Sequence, residues 1–321
     1  MTVSIKEAWK TLTELDDILL LTHRLPDGDA VGSLFALCRV LRSMGKRVTY
    51  EIDEIPRNLR VAAFPQKEAL IPRSVVTVDV GDKKLLGDEA AKRWGDRVDL
   101  SIDHHATHVS FAKQTLVDPR SAAAAELLFD LFSQNGVITD PETAAWLYVG
   151  IATDTGCFRY ANTTAKTLGT AAALVEAGAD NGALNEGLFE TKTRAYAAFE
   201  AHAMQSLSYY LNGRCAVMVI TQALYRQTGI CENEIKEINA LPRQIEGVLA
   251  GITLKEKETG GWRVSVRTRA PLNAASICAK FDGGGHVRAA GCELPGTAEE
   301  AIEKLVAAVK AETDTPTAQG K

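Results

Sequence analysis

Four segments of the chain end an apolar run on histidine or aspartate. The run LLLT leads into His23, Asp27 and Asp29 in THRLPDGDAVGS. VVTV leads into Asp79 in VDVGD, LSI into Asp103, His104 and His105, and VGIAT into Asp154 in TDTG. Carboxylate and imidazole groups are ligands for divalent cations, and they are also the acids and bases of hydrolytic chemistry. So many of them brought together without a cation would repel one another strongly, and a metal cluster resolves that repulsion. Taken singly, several have plainer readings. Pro26-Asp27-Gly28-Asp29 is a turn signal, and either aspartate could cap a helix, although the residue three beyond Asp29 is Gly32 rather than the Glu or Gln of a capping box. Asp79 and Asp154 could each be a turn residue at the end of an element. Adjacent histidines directly after a buried strand are seldom needed for packing. The joint occurrence of all four segments favours metal.

The elements around these residues explain how they could meet. Ile18–Leu21, Arg47–Ile52, Val75–Val78 and Leu100–Ile102 have the composition of short buried strands. Helical spacing runs over Ala30–Met44, with Val31, Leu34, Phe35, Cys38 and Leu41 on one face, and helices are also predicted for Ser121–Gln134, Glu142–Thr153 and Ala165–Ala177. Short strands alternating with helices predict an α/β domain, doubly wound around a mostly parallel sheet. In such a sheet ligands bind beyond the carboxyl ends of the strands, which is where the histidines and aspartates fall. The stretch carrying Gly178, Gly182 and Gly187 is predicted to be a loop, and Thr193–Leu211 one long connecting helix. Beyond it come a strand at Cys215–Thr221, two more at Val248–Glu256 and Trp262–Thr268 joined across Gly260-Gly261, a helix near Asn273–Phe281, a glycine cluster and a final helix near Ala298–Ala311. This is a smaller α/β domain. The boundary falls near residue 190, and the tail from Asp314 is expected to fray.

Composition narrows the function. The chain has 321 residues, 46% hydrophobic and 24% charged, which is the balance of a folded two-domain protein. A net charge of −5 and 6% aromatic residues leave neither the basic stripe nor the stacking platform that a long nucleic acid requires. The six cysteines form no C-x-x-C pair and are expected to be reduced packing residues. The start, MTVSIKEAWKTL, lacks the apolar core of a signal peptide, and no apolar run approaches the ~18 residues of a membrane span, so a cytoplasmic location is expected. No Walker loop or G-x-G-x-x-G occurs, which leaves no ATP or NAD site.

A second cluster lies in the C-terminal half. Gly283-Gly284-Gly285 followed by His286 could be only a flexible turn, but amides without side chains also make an anion nest, to which His286 adds a donor. In VSVRTR, period-two alternation puts Ser265, Arg267 and Arg269 on one face, and Arg suits bidentate contact with phosphate. Arg269 could equally be a surface charge.

With these motifs in hand, the chain resembles the DHH phosphoesterases. The four N-terminal motifs occur in order as His23/Asp27/Asp29, Asp79, Asp103-His104-His105 and Asp154, and FDGGGHVRAAG is similar to the glycine-rich signature of the domain that follows in one branch. The resemblance implies a catalytic domain over 1–190, a linker helix over 191–212 and a substrate-binding domain over 213–321. It implies two divalent metal ions, Mn²⁺ foremost with Mg²⁺, Co²⁺ or Fe²⁺ as alternatives. His23, Asp27 and Asp79 would hold one ion and Asp29, His104 and Asp154 the other, with Asp79 shared. His105 would face the scissile phosphate as donor or general acid, and Asp103 would orient the histidines. Arg267, Gly284, Gly285 and His286 would grip the substrate's other phosphate. Many relatives carry Asn near the position of His108, for which a solvated loop residue is the favoured reading.

The implied function is hydrolysis of oligonucleotides of about two to five residues to 5′-mononucleotides, and of 3′-phosphoadenosine 5′-phosphate (pAp) to AMP and phosphate. The expected partner is a small nucleotide or short oligonucleotide, not a long nucleic acid and not a membrane, and a homodimer is compatible with the chain. The rivals are a linear or cyclic dinucleotide phosphodiesterase, a pyrophosphatase, which would have a different C-terminal domain, and a catalytically silent nucleotide-binding regulator, which would have lost ligands that are all intact here.

Overall fold

The computed structural model describes residues 1–314; the rest of the tail lies outside the described residues. The chain divides into two compact units, Met1–Thr191 and Lys192–Lys321.

The first unit is built on a five-stranded parallel sheet. Its strands are β1 (Ile18–Leu21), β2 (Val48–Glu51), β3 (Ser74–Val78), β4 (Leu100–Asp103) and β5 (Gln114–Val117), in the spatial order β2-β1-β3-β4-β5. β1 and β3 are buried along their whole length, which explains their unbroken apolar runs. The helices are α1 (Ile5–Glu14), α2 (Gly28–Ser43), α3 (Asp88–Trp94), α4 (Ala124–Ser133), α5 (Pro141–Asp154), α6 (Ala165–Glu176) and α7 (Asn181–Asn185). The chain leaves β1 for β2 on one side and returns to β3 on the other, so the sheet's switch point lies between β1 and β3. The loops after these two strands carry His23 and Asp79.

Close packing of α2 on α5 brings the fourth motif to this edge. A Cβ at Gly32 would overlap the carbonyl oxygen of Trp146 and lie 2.9 Å from the Gly150 nitrogen, while one at Gly150 would lie 2.9 Å from Asp29 Oδ1. The glycines let the backbones approach until Asp154, in the last turn of α5, reaches the same edge as Asp29. Gly32→Ala is therefore expected to cost about 1–3 kcal/mol, since the clash is with backbone that cannot swing away. Urea unfolding measures this, and a midpoint equal to that of the wild type would mean that the helices do not depend on the contact.

The second unit carries a six-stranded mixed sheet. Its strands are β6 (Ser208–Tyr210), β7 (Cys215–Ile220), β8 (Ala250–Glu256), β9 (Trp262–Thr268), β10 (Gly284–His286) and β11 (Ala289–Leu294), in the order β10-β11-β9-β8-β7-β6. Only β7 and β8 run parallel; the other pairs are antiparallel. Its helices are α8 (Arg194–Gln205), α9 (Gln222–Thr228), α10 (Leu241–Gln244), α11 (Ala274–Ala279) and α12 (Ala298–Asp314). One core joins Val217, Ile252, Val264 and Val266 to Ile277 and Leu305; another joins Met218 and Ile220 to Phe199, Leu224 and Tyr225.

Several elements differ from the sequence reading. The helix predicted over Thr193–Leu211 stops at Gln205, because Ser208–Tyr210 pairs with β7 as an edge strand. The glycine-bearing stretch after residue 178 contains α7, capped by Asp180, and a π-turn over Glu186–Glu190, rather than an irregular loop. Part of the glycine cluster is strand β10, and β11 beside it was not anticipated, since AAGCEL is too poor in branched residues to resemble a strand. Among the described residues, no helix is long and apolar enough to cross a membrane.

Candidate active site

Each histidine and aspartate of the four N-terminal motifs stands where an element ends or begins. His23 follows β1. Asp27 is the N-cap of α2, its Oδ1 accepting the Ala30 N–H at 3.1 Å, and the same oxygen lies 3.7 Å from His23 Nε2. Asp27 thus caps α2 and at the same time faces His23.

Asp29, in the first turn of α2, is fully buried and serves a different helix. Its Oδ2 accepts the Ala124 N–H at 2.6 Å and its Oδ1 the Ala125 N–H at 2.9 Å and the Ser33 hydroxyl at 3.0 Å. α4 begins Ala123-Ala124-Ala125 and has no capping side chain of its own, so Asp29 satisfies its first amides from across the fold. An alanine run at a helix start was the signal in the sequence that the cap had to come from elsewhere.

Asp79 closes β3 in the left-handed region, φ 56°, a conformation that Asp and Asn tolerate better than other non-glycine residues. The turn aims its carboxylate at three imidazoles: Oδ2 lies 3.6 Å from His23 Nε2, and Oδ1 lies 3.7 Å from His104 Nε2 and 3.6 Å from His105 Nδ1. His104 Nδ1 faces the Ser121 carbonyl oxygen at 3.2 Å. A proton on Nδ1 donates there, which leaves Nε2 as a lone pair toward Asp154 (3.3 Å), Asp29 (3.7 Å) and Asp79. The donor atoms form three groups that could hold a metal ion: His23, Asp27 and Asp79; Asp29, His104 and Asp154; and Asp79, His104 and His105. The residues fit such a group chemically. Asp79 Oδ1 is buried without a hydrogen-bond partner, His104 has the tautomer of a ligand whose other nitrogen is anchored on a carbonyl, and the set is oxygen-rich with imidazole and no thiolate.

Asp103 stands behind the cluster at the end of β4, fully buried. Its Oδ1 accepts the His104 N–H at 2.8 Å and His105 Nδ1 at 2.7 Å, and its Oδ2 accepts His108 Nδ1 at 2.6 Å. The reading of His108 as a solvated loop residue is corrected: its side chain is 6% exposed. The spacing D-H-H-x-x-H, which one tight turn folds back onto the aspartate, was the available signal.

The electrostatics follow from this crowding. Burial, then the charge of Asp79, pushes Asp29 up to about 7, and burial followed by the charge of Asp29 raises Asp154 well above the carboxylate range. Burial alone would lower His23, but its bonds to Asp27 and Asp79 outweigh that and push it up to about 10; the bond to Asp103 pushes His105 up to about 9. For Asp103 burial acts upward, yet its bonds to His105 and His108 win and hold it well below its ordinary value. The raised groups bind protons more tightly folded than unfolded, so their stabilisation is complete at low pH and lost as pH rises through the folded values. The metal-free protein should therefore lose stability as Asp29 ionises between about pH 4 and 7 and as His105 and His23 lose protons toward 9 and 10. Thermal melts in chelator across this range check the sign; a melting temperature rising steadily from pH 5 to 9 would contradict it.

In the second unit, the strand register carries the information. Arg267 on β9 pairs with Ala289 on β11, and Ala289 pairs with His286 on β10. Directly opposed residues share a sheet face, so Arg267 and His286 stand in one row with only the small Ala289 between them. Gly285 adopts φ 141°, and a Cβ there would meet the Ala290 Cα at 2.7 Å; Gly284 is exposed with nothing nearby. A groove of about 640 Å³ on the same face is lined by Arg263, Ser265, Phe281, Asp282, Gly283 and Glu293. Arg269 does not join the row: β9 ends at Thr268, and the Arg269 guanidinium donates to the Arg243 carbonyl at 3.1 Å.

Residues 17–151 match the DHH family, N-terminal domain, and residues 212–314 the DHHA1 domain. The chain is 34% identical over 301 residues to the bifunctional oligoribonuclease and PAP phosphatase NrnA of Thermus thermophilus, covering 92% of this chain and 90% of that one. Among solved structures it is similar to an exopolyphosphatase-related protein from Bacteroides fragilis, with a TM-score of 0.88 at 23% identity, covering 96% of this chain and 95% of the other. It is also similar to exonuclease RecJ bound to manganese, with a TM-score of 0.55 at 16% identity over 98% and 95% of the two chains. The two structures share its fold.

Proposed function

The chain belongs to the DHH family, and from that premise we propose that it is a metal-dependent phosphoesterase that hydrolyses oligonucleotides of about two to five residues to 5′-mononucleotides and pAp to AMP and phosphate. The observation that carries this reading is the convergence of His23, Asp27, Asp29, Asp79, His104 and Asp154 on one sheet edge. The likeness to a bifunctional oligoribonuclease and PAP phosphatase along nearly the whole chain supports the choice of substrate.

In this reading the first unit is the catalytic domain and the second, entered through α8, is the substrate-binding domain. His23, Asp27 and Asp79 would hold one divalent ion and Asp29, His104 and Asp154 a second, with Asp79 available to both; Mn²⁺ suits a set of carboxylates with a few imidazoles. Such a pair supplies Lewis-acid polarisation and charge neutralisation at the scissile phosphate. The chain's own residues do the rest. Ser121 and Asp103 fix the imidazoles of His104 and His105 by their Nδ1 atoms. His105, which its bond to Asp103 keeps protonated near neutral pH, donates its Nε2 proton to the phosphate or the leaving oxygen. Arg267, Gly284, Gly285 and His286 take the substrate's non-scissile phosphate. The proposed site of action is the cytoplasm.

A panel assay tests the proposal. With Mn²⁺ present, pAp and pApA should be hydrolysed rapidly and an RNA of about 20 nucleotides slowly. Rapid hydrolysis of pyrophosphate or of a cyclic dinucleotide with no action on pAp or pApA would replace the reading with one of its rivals.

A further inference from the structure

His108 has no part in the ligand set, yet it is more deeply buried than His105, with 6% of its side chain exposed against 31%. Its Nδ1 donates to Asp103 Oδ2 at 2.6 Å, and its ring lies over Phe111 with centroids 5.8 Å apart and planes 30° apart. Its Nε2 is buried without a hydrogen-bond partner.

Two plainer roles fail on these facts. The imidazole is not needed to hold the loop, because backbone bonds already close it: His108 N–H to the His105 carbonyl at 3.1 Å, and Val109 N–H to the Gly81 carbonyl at 2.7 Å. Nor is it the best filler for an apolar pocket. A buried ring nitrogen without a partner is costly, and phenylalanine would stack on Phe111 without it. What phenylalanine lacks is the Nδ1 donor to Asp103.

That donor has a geometric consequence. The terminal torsion of an aspartate is broad, so a carboxylate held by one oxygen can turn about its Cβ–Cγ bond. Asp103 holds the His104 N–H and His105 Nδ1 on one oxygen and His108 on the other, and donors on both oxygens fix its plane. The direction in which Oδ1 holds His105 then depends on His108. We infer that His108 is a positioning residue that fixes the Asp103 carboxylate and, through it, the His105 imidazole. The inference rests on the reading above, in which His105 meets the scissile phosphate.

Two variants separate the donor from the ring. Asn carries its Nδ2 on Cγ, as His carries Nδ1, so His108→Asn can still donate to Asp103 while losing the ring. His108→Phe keeps the ring and loses the donor. His108→Phe should lower kcat on pAp by about 10- to 100-fold, the usual cost of losing a residue that orients a reacting group, with KM changed by less than about twofold. His108→Asn should restore most of the loss. A second reading comes from proton NMR of the chelated, metal-free proteins, where the Nδ1 protons of His105 and His108 on Asp103 should give two low-field signals. His108→Asn should remove one and leave the His105 signal in place; His108→Phe should shift or broaden it. Wild-type turnover in His108→Phe, equal losses in both variants, or an unmoved His105 signal in His108→Phe would each overturn the inference. A wild-type protein that hydrolyses none of the panel substrates would instead overturn the phosphoesterase reading, while the NMR comparison would still decide whether His108 holds His105.

Discussion

Asp79→Asn is expected to lower kcat/KM on pAp by about a thousandfold and, in the same protein, to leave the melting temperature in chelator little changed. Asp79 is the carboxylate that three imidazoles share, at 3.6–3.7 Å from His23, His104 and His105. Its loss removes a ligand from both proposed ion positions at once. Losing a residue that merely orients a ligand costs about 10- to 100-fold, and losing one group that stabilises the transition-state charge costs about 100- to 1,000-fold; a shared ligand belongs at the upper end. Asn is the informative replacement because it also tolerates the left-handed backbone that Asp79 adopts at φ 56°. The chemistry is then removed without a backbone penalty. Stability in chelator should change little, because the charge of Asp79 repels Asp29 and Asp154 but also holds the protons on His23 and His105. Asp27→Asn is the comparison, since Asp27 is half exposed and serves one group only. Activity should also disappear on chelation and return best with Mn²⁺. An Asp79→Asn protein retaining more than about a tenth of wild-type kcat/KM would remove Asp79 from the shared position.

The parts of this site that were legible in the sequence are those set by strand ends. Buried parallel strands must be apolar on both faces, so β1, β3 and β4 announce themselves, and the first polar residues after them fall at the sheet edge where ligands bind. His23, Asp79 and the Asp103–His105 run follow from that rule. What could not be read was any contact that depends on how two helices pack. Asp29 caps α4 from a distance of 95 residues in sequence, and α2 and α5 meet at glycines that carry no apolar signal. His108 was misread because loop polarity resembles solvation; only the fold of the turn reveals that Asp103 has a second oxygen to fill. In the second unit the glycine cluster concealed a strand pair. Glycine and alanine have low strand propensity, and the pairing of β10 with β11 and of β11 with β9 is what aligns Arg267 with His286.

That alignment leads to the second large effect. Arg267→Ala is expected to lower kcat/KM on pAp and on dinucleotides by about 10- to 150-fold, the worth of a charge-assisted hydrogen bond of about 1.5–3 kcal/mol. Arg267 lies on β9 in the same row as His286, beside a glycine segment in which an added Cβ at Gly285 would meet the Ala289 and Ala290 backbone of β11. In the proposed reading, an arginine and an imidazole in one row beside a glycine segment form a phosphate grip rather than a hydrolytic centre. Binding energy from a phosphate remote from the reaction can be used to position the scissile one, but only in a substrate that carries both. Hydrolysis of bis-p-nitrophenyl phosphate, which has a single phosphate, should therefore be almost unchanged by Arg267→Ala. The same logic sets substrate length. With a net charge of −5 and few aromatic residues, the chain in this reading offers a long strand little beyond the two proposed phosphate contacts, so lengthening the substrate past about five nucleotides is expected to add cost without adding contacts. Arg267→Ala should accordingly flatten the preference for short substrates, bringing the rates on a dinucleotide and a 20-nucleotide RNA closer together. Equal losses on pAp and on bis-p-nitrophenyl phosphate would mean that Arg267 supports the reaction centre or the fold. An undiminished length preference in the variant would mean that the preference is set in the first unit, by the loops that carry His23 and Asp79.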